Sequence, residues 1–180
     1  NGQFGKRIMR GNEEASSRYI QTELNQINDI LFPSIEFEIL EYNYDDGIPV
    51  EPTYYLPIIP LVLVNGMVGI GTGFSTNIPQ YSPYDIIDNI VNKLMNKPYN
   101  TIKPHYNNFS GKIISIDDHN YLTKGIYNII DNNTLEITEL PIGKWTDDYK
   151  KYLDSLLANE NIKDYTNNST DTSVNFVITF

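Results

Sequence analysis

Asn65-Gly66-Met67-Val68-Gly69-Ile70-Gly71-Thr72-Gly73 sets the terms for everything around it. Four glycines in so short a stretch demand unusual backbone angles or the close approach of another group. The segment before it is extended, apolar and punctuated by Pro52, Pro57 and Pro60. Within that segment Val62, Leu63 and Val64 read as a short buried strand. The segment after it opens a helix. Ser82 stands at the N-cap with Pro83 at the first helical position. Ile86, Ile87, Ile90, Val91, Leu94 and Met95 then mark one face, and the helix should end near residues 96–98.

The flanks divide by period. Residues 1–12 are Gly-rich and basic, which predicts a loop. Ile20, Leu24, Ile27, Ile30 and Leu31 approach helical spacing, most clearly in the second half, and Phe32-Pro33 stops them. Ile35, Phe37 and Ile39 alternate with Glu36 and Glu38, a strand pattern. Asp45-Asp46-Gly47 predicts a turn, with residues 48–50 returning as a strand. Beyond Pro98 the character changes. Residues 113–116, 126–130 and 135–137 read as short strands, residues 146–157 as a helix capped by Thr146, and residues 175–180 as a last strand. Asp147 and Asp148 favour the first turn of that helix. A subdomain boundary is expected between residues 98 and 106, and no internal repeat is visible.

Composition excludes several classes. Among the 180 residues there is no cysteine, so disulfides, thiolate zinc sites and cysteine nucleophiles are all removed. His105 and His119 lie in polar contexts without ligand spacing and read as surface residues. Hydrophobic residues at 40% fit a globular protein. No apolar run approaches the roughly 20 residues that span a bilayer. The opening residues lack both a signal-peptide core and an initiator Met, which points to an internal fragment. Abundant Asn, Ile, Tyr and Lys follow AT-rich codons and suggest a viral or protist genome. The net charge of −10 argues against nucleic-acid binding by the chain as a whole. Lys6, Arg7, Arg10 and Arg18 nevertheless cluster in the opening stretch. Fields of exposed charges fade over about 10 Å in 0.1 M salt, so a local basic face can still hold phosphate.

Three features carry candidate chemistry. Arg18-Tyr19 is the first. A phenol titrates near pH 10 and attacks poorly at neutral pH, but a neighbouring guanidinium favours the phenolate and neutralises a phosphate under attack. On an extended chain the two side chains point apart, and they meet only if the chain turns. The second is Gly69-Ile70-Gly71-Thr72-Gly73. It lacks the Lys-Ser/Thr ending of a phosphate loop and does not complete a dinucleotide fingerprint. Two readings stay open: Ile70 is core and the glycines allow tight packing, or Ile70 is a wedge that unstacks and kinks duplex DNA. The third is the acidic pairs Asp45-Asp46, Asp117-Asp118 and Asp147-Asp148. Each sits at a turn or helix start, where Asp has structural reasons to be, and none is assigned to a metal.

In order along the chain, Gly2-Gln3-Phe4-Gly5, Ala15-Ser16-Ser17-Arg18-Tyr19-Ile20, Tyr44-Asp45-Asp46 and Val50-Glu51-Pro52 resemble the active-site tyrosine region of eukaryotic-type (type IIA) DNA topoisomerase II. Tyr55-Leu56-Pro57-Ile58-Ile59-Pro60, Val64-Asn65-Gly66, Gly69-Ile70-Gly71-Thr72-Gly73, Leu135-Glu136-Ile137-Thr138-Glu139-Leu140-Pro141 and Trp145-Thr146 continue the resemblance. It implies an α+β fold. Residues 1–98 would be the later part of a winged-helix domain and residues 99–180 the start of an α/β tower domain. It implies that Tyr19 forms a 5′-phosphotyrosyl link, that Arg18 stabilises the scissile phosphate, and that Ile70 inserts between base pairs. Lys6, Arg7 and Arg10 become phosphate contacts. The implied cofactors, Mg²⁺ and ATP, bind on domains absent here. The implied partners are double-stranded DNA, a second copy in a homodimer with a composite site, and the enzyme's own metal-binding domain, with no membrane. The location would be nuclear in a cell, or the host replication site or virion for a virus. The fragment alone should be inactive.

Two departures bear on DNA contact. Asn12, Glu13 and Glu14 replace a more basic or smaller pattern, and Lys6 stands where the family often has threonine. Two other readings compete with the catalytic one. The chain could be a duplex-binding module that has lost its chemistry, or an acidic α+β protein-interaction domain without DNA affinity.

Overall fold

The computed structural model describes residues 2–180; Asn1, the first residue of the predicted loop, lies outside them. By contacts the chain divides into two units, residues 1–22 with 108–180, and residues 23–107. This partition is discontinuous, unlike the linear division at residue 98 drawn from sequence. One joint falls just beyond the expected change of character at residues 98–106. The other sets the first 22 residues with the C-terminal part.

The opening segment holds two 3-10 turns, Arg7–Met9 and Ser17–Tyr19. The unit formed by residues 23–107 begins with a short helix α1, Asn28–Leu31. The helix expected from Ile20 is therefore confined to its last turn. Asn25 starts it, with its side chain accepting from Ile27 N–H at 3.1 Å and its carbonyl from Asn28 N–H at 2.9 Å. Upstream, Leu24 is exposed, so nothing apolar rewards a longer helix.

Two further expectations are corrected. Residues 34–39 are not a strand but a 3-10 segment, Ser34–Ile39. Glu36 N–H bonds to the Pro33 carbonyl at 3.0 Å, so local turn bonds replace a ladder. Ile35 and Ile39 remain exposed and among the described residues no strand pairs with them, while Phe37 packs edge-on to Tyr55 at 6.4 Å. Alternation alone does not make a strand without a partner. Residues 62–64 are likewise helical, in α2, Leu61–Asn65. Pro60 precedes it, and its carbonyl accepts from Leu63 N–H at 2.9 Å. A short apolar run does not distinguish strand from helix, and Gly66 at φ 67° ends this one.

The turn at Asp46-Gly47 joins β1, Tyr42–Asp45, to β2, Ile48–Pro52, as expected. The glycine-rich run is a hairpin of β3, Met67–Gly71, and β4, Phe74–Ile78, with Ile70 opposite Ser75. Helix α3 spans Pro83–Leu94. Ser82 caps it by position; its carbonyl, and not its hydroxyl, is engaged, accepting from Ile86 N–H at 3.2 Å. Ile86 on the apolar face of α3 is buried.

The unit that includes residues 108–180 holds a hairpin of β5, Lys112–Ser115, and β6, Tyr121–Lys124. Its body is a four-stranded antiparallel sheet built from β7, Ile126–Asp131, β8, Thr134–Glu139, β9, Asp164–Asn167, and β10, Phe176–Thr179. The spatial order is β7-β8-β10-β9. Helix α4, Thr146–Ala158, lies between β8 and β9 in sequence. Trp145, not Thr146, holds its N-cap position, and Thr146 is buried as the first helical residue. Leu140, Leu153, Ile162, Val174, Phe176 and Ile178 form the core, with Tyr149 edge-on to Phe176 at 5.2 Å.

Strand β9 is pinned to α4 by the Tyr165 hydroxyl, which donates to Asp154 Oδ1. That bond, more than burial or the Asp154 charge, pushes the phenol up to about 12. A raised pKa means the fold favours the protonated phenol. Its contribution is full below the ordinary value near 10 and is lost as pH rises through about 12. Tyr165→Phe is expected to destabilise this unit by about 0.5–1 kcal/mol at pH 8, allowing for solvent screening. Urea unfolding of both proteins at pH 8 and pH 12 should show the difference shrinking at the higher pH; a constant difference contradicts it.

Candidate active site

Residues 2–19 form a loop closed on itself. Ala15 N–H donates to the Gln3 carbonyl at 2.9 Å, and Gly11 N–H to the Lys6 carbonyl at 3.0 Å. Gly5, at φ +87°, lets the two limbs meet: a Cβ there would stand 2.6 Å from Gly11 Cα. Tyr19 ends the loop on the turn Ser17–Tyr19, whose bonds run from Tyr19 N–H to Ser16 O at 2.8 Å and from Ile20 N–H to Ser17 O at 3.1 Å. The chain turns where the two side chains need it to. The Arg18 guanidinium lies over the Tyr19 ring, 5.1 Å from its centroid. Such an exposed contact is worth about 0.5–1 kcal/mol, weak enough to let the cation move to an incoming anion. Tyr19 is 67% exposed, open to a large ligand.

The four opening cations differ in their surroundings. Lys6 Nζ is 3.3 Å from Asp171, with both side chains more than half exposed. Arg7 Nη2 donates to Glu139 Oε1 at 3.0 Å, and the Glu139 side chain is only 11% exposed. Arg10, at φ 60°, and Arg18 form no ion pair among the described residues. The two carboxylate oxygens of Glu13 are buried and accept no hydrogen bond among those residues.

Ile70 sits on the other unit, in the β3–β4 hairpin, and is 91% exposed. A Cβ on Gly69 would meet nothing within 4 Å, and one on Gly71 only the Phe74 carbonyl at 4.0 Å. The glycines beside Ile70 therefore leave space instead of filling it, and the core reading of Ile70 is excluded. Val68 and Phe74 on the same hairpin are also exposed, and residues 67–78 carry no charge.

Asp117 and Asp147, one from each of two acidic pairs, have structural partners. Asp117 accepts from His119 N–H and Asn120 N–H, each at 2.8 Å, and from the Asn120 side chain. These bonds, the Asn120 side chain foremost, hold its carboxyl below the usual range. Asp147 pairs with Lys151 at 3.0 Å within α4. Among the described residues no three histidines or acids gather in a group that could hold a metal ion. No described helix is long and apolar enough to cross a membrane.

Glu139 escaped the sequence reading, although its signal is present. Parity along β8 puts it on the same face as Leu135 and Ile137, toward the core. An acid at a core-facing position needs a cation, and Arg7 supplies it.

The profile of the DNA gyrase/topoisomerase IV A-subunit family matches residues 1–180. The chain belongs to this family. It is 46% identical over 180 residues to a DNA topoisomerase 2 of Plasmodium falciparum, covering 98% of this chain and 13% of that one. Against DNA topoisomerase 2 top-2 of Caenorhabditis elegans the identity is 45%, over 98% of this chain and 12% of the other. A DNA topoisomerase 2 of Acanthamoeba polyphaga mimivirus is 44% identical over 87% of the chain and 12% of its own length. The crystal structure of the Plasmodium falciparum topoisomerase II DNA-binding, cleavage and re-ligation domain superposes with a TM-score of 0.91 at 46% identity, covering 99% of this chain and 25% of that one. The chain thus corresponds to part of the breakage-reunion region of a type IIA topoisomerase II, and spans a quarter or less of these relatives' lengths.

Proposed function

We propose that the chain supplies the nucleophilic half of a DNA cleavage and religation site, with Tyr19 as nucleophile. The observation that carries this is an exposed phenol on a turn, with a guanidinium over its ring. The Tyr19 oxygen attacks a backbone phosphorus. The bond from phosphorus to the 3′ oxygen breaks, the 3′ hydroxyl leaves with a proton, and a 5′-phosphotyrosyl ester forms. The reverse attack reseals the strand, because one ester is exchanged for another. Arg18 is placed to turn from the ring to the phosphate. Arg10 is open to phosphate, and Lys6 can exchange its screened partner for one. Arg7 has its Nη2 on Glu139 and only its exposed remainder for DNA.

The rest of the site would come from outside the chain, from a metal-binding domain holding Mg²⁺ and a second copy for the opposite strand; ATP would bind on a further domain. Magnesium would neutralise phosphate charge when bound. Residues 1–98 would be the winged-helix part and residues 99–180 the start of the tower, on the ordered motifs and not on the contact units, and the location would be the nucleus or, for a virus, the replication site or virion. Trapping the full-length enzyme on end-labelled duplex with denaturant, then digesting with protease, should leave 5′-linked label on the peptide that contains Tyr19. Label on another residue, or none, refutes the assignment.

Ile70 is the wedge in this reading. It is uncharged, exposed and flanked by open space, which suits entry between stacked bases. Ile70→Ala is expected to straighten bound DNA while binding weakens by less than about tenfold. End-to-end fluorescence distances equal to wild type would remove the wedge.

A further inference from the structure

Little apolar material holds the Tyr19 loop in place, since none of residues 2–19 is buried. Its internal bonds, Ala15 to Gln3 and Gly11 to Lys6, brace residues 3–15, and Gly2 lies so close to the Tyr19 carbonyl that a Cβ there would stand 3.1 Å from it. Besides the packing of the Arg7–Met9 turn on α4, two ion pairs tie that piece to the rest of its unit. Lys6–Asp171 is screened by water on both sides and contributes little. Arg7–Glu139 is different, because the carboxylate is almost wholly withdrawn from solvent at the end of β8. A buried acid that loses its cation is left uncompensated, so Glu139 strongly favours the one loop position that delivers Arg7. Arg7 itself opens the turn Arg7–Met9, which rests against α4.

We propose that Arg7–Glu139 is a latch that sets where the tyrosine loop sits, making Glu139 a positioning residue for Tyr19. The inference rests on Tyr19 being the nucleophile. Glu139 touches no substrate; it acts through Arg7 and the cross-braced loop. A displacement of about 1 Å at the attacking atom can cost about a hundredfold in rate without changing affinity.

The test uses the full-length enzyme and two readouts: the rate of covalent capture at saturating DNA, and the DNA dissociation constant. Glu139→Gln is expected to slow capture by about tenfold or more while affinity stays within about twofold. The reversed pair, Arg7→Glu with Glu139→Arg, or the conservative Glu139→Asp, should recover much of the rate. An unchanged rate in Glu139→Gln overturns the latch. So does a rate loss matched by lost binding, or one that neither the reversed pair nor Glu139→Asp recovers. Tyr19→Phe separates the two ideas. Adduct persisting there refutes the nucleophile itself, whereas adduct lost there but intact in Glu139→Gln refutes only the latch.

Discussion

Tyr19→Phe in the full-length enzyme is expected to lower covalent DNA capture by about 10⁴-fold or more, the scale on which removing a nucleophile acts. Non-covalent binding should change by no more than about 1 kcal/mol, since only one hydroxyl is removed from an exposed side chain. The ring survives in phenylalanine, so the Arg18 contact over its face survives too. The loop is closed by backbone bonds that the hydroxyl does not enter, and its anchor is Arg7, not Tyr19. Chemistry and binding should therefore separate cleanly. Denaturant trapping reads the first, and a gel shift at low salt the second. A binding module that had lost its chemistry would give the same negligible adduct in both proteins, and that outcome would end the enzymatic account.

What the sequence made legible follows from periodicity with a partner. The face of α3 and the alternation of β8 were readable because each packs against something: Ile86 is buried, and Leu135 and Ile137 pack on the core. Ile35, Phe37 and Ile39 have the same alternation without a neighbouring strand, and local turn bonds took the segment instead. Strand β9 was invisible because Asp164, Tyr165, Thr166 and Asn167 hold almost no apolar signal; it exists because β10 pairs with it. Residue types alone left Ile70 between core and wedge, and only its exposure decides that it is not core. Tyr19 has only a weak local signature, the neighbouring Arg18. Its role as nucleophile rests on the ordered set of motifs from Gly2 to Trp145, a property of the whole chain. Distant pairs such as Arg7–Glu139 need the fold to close before they exist.

Phe176→Ala is expected to cost the sheet unit about 3–5 kcal/mol, several times the effect of Tyr165→Phe. Phe176 is fully buried on β10, the central partner of both β8 and β9. Its ring meets Tyr149 from α4 at 5.2 Å and Tyr165 from β9 at 6.5 Å, so one side chain joins sheet and helix. Truncation loses the transfer energy of the ring and leaves a cavity that β10, held by ladders on both sides, cannot collapse to fill. Trp145, the single tryptophan, stands at the N-cap of α4 and reports on this unit alone. That matters because a chain of two units need not unfold in one step. Urea unfolding followed by tryptophan fluorescence should show the midpoint falling with little change in slope. A loss below about 1 kcal/mol would mean that Phe176 is not the joint between helix and sheet. Phe176 pairs with Ile137, two residues from Glu139 on β8, so the same variant should also loosen the strand end that meets Arg7.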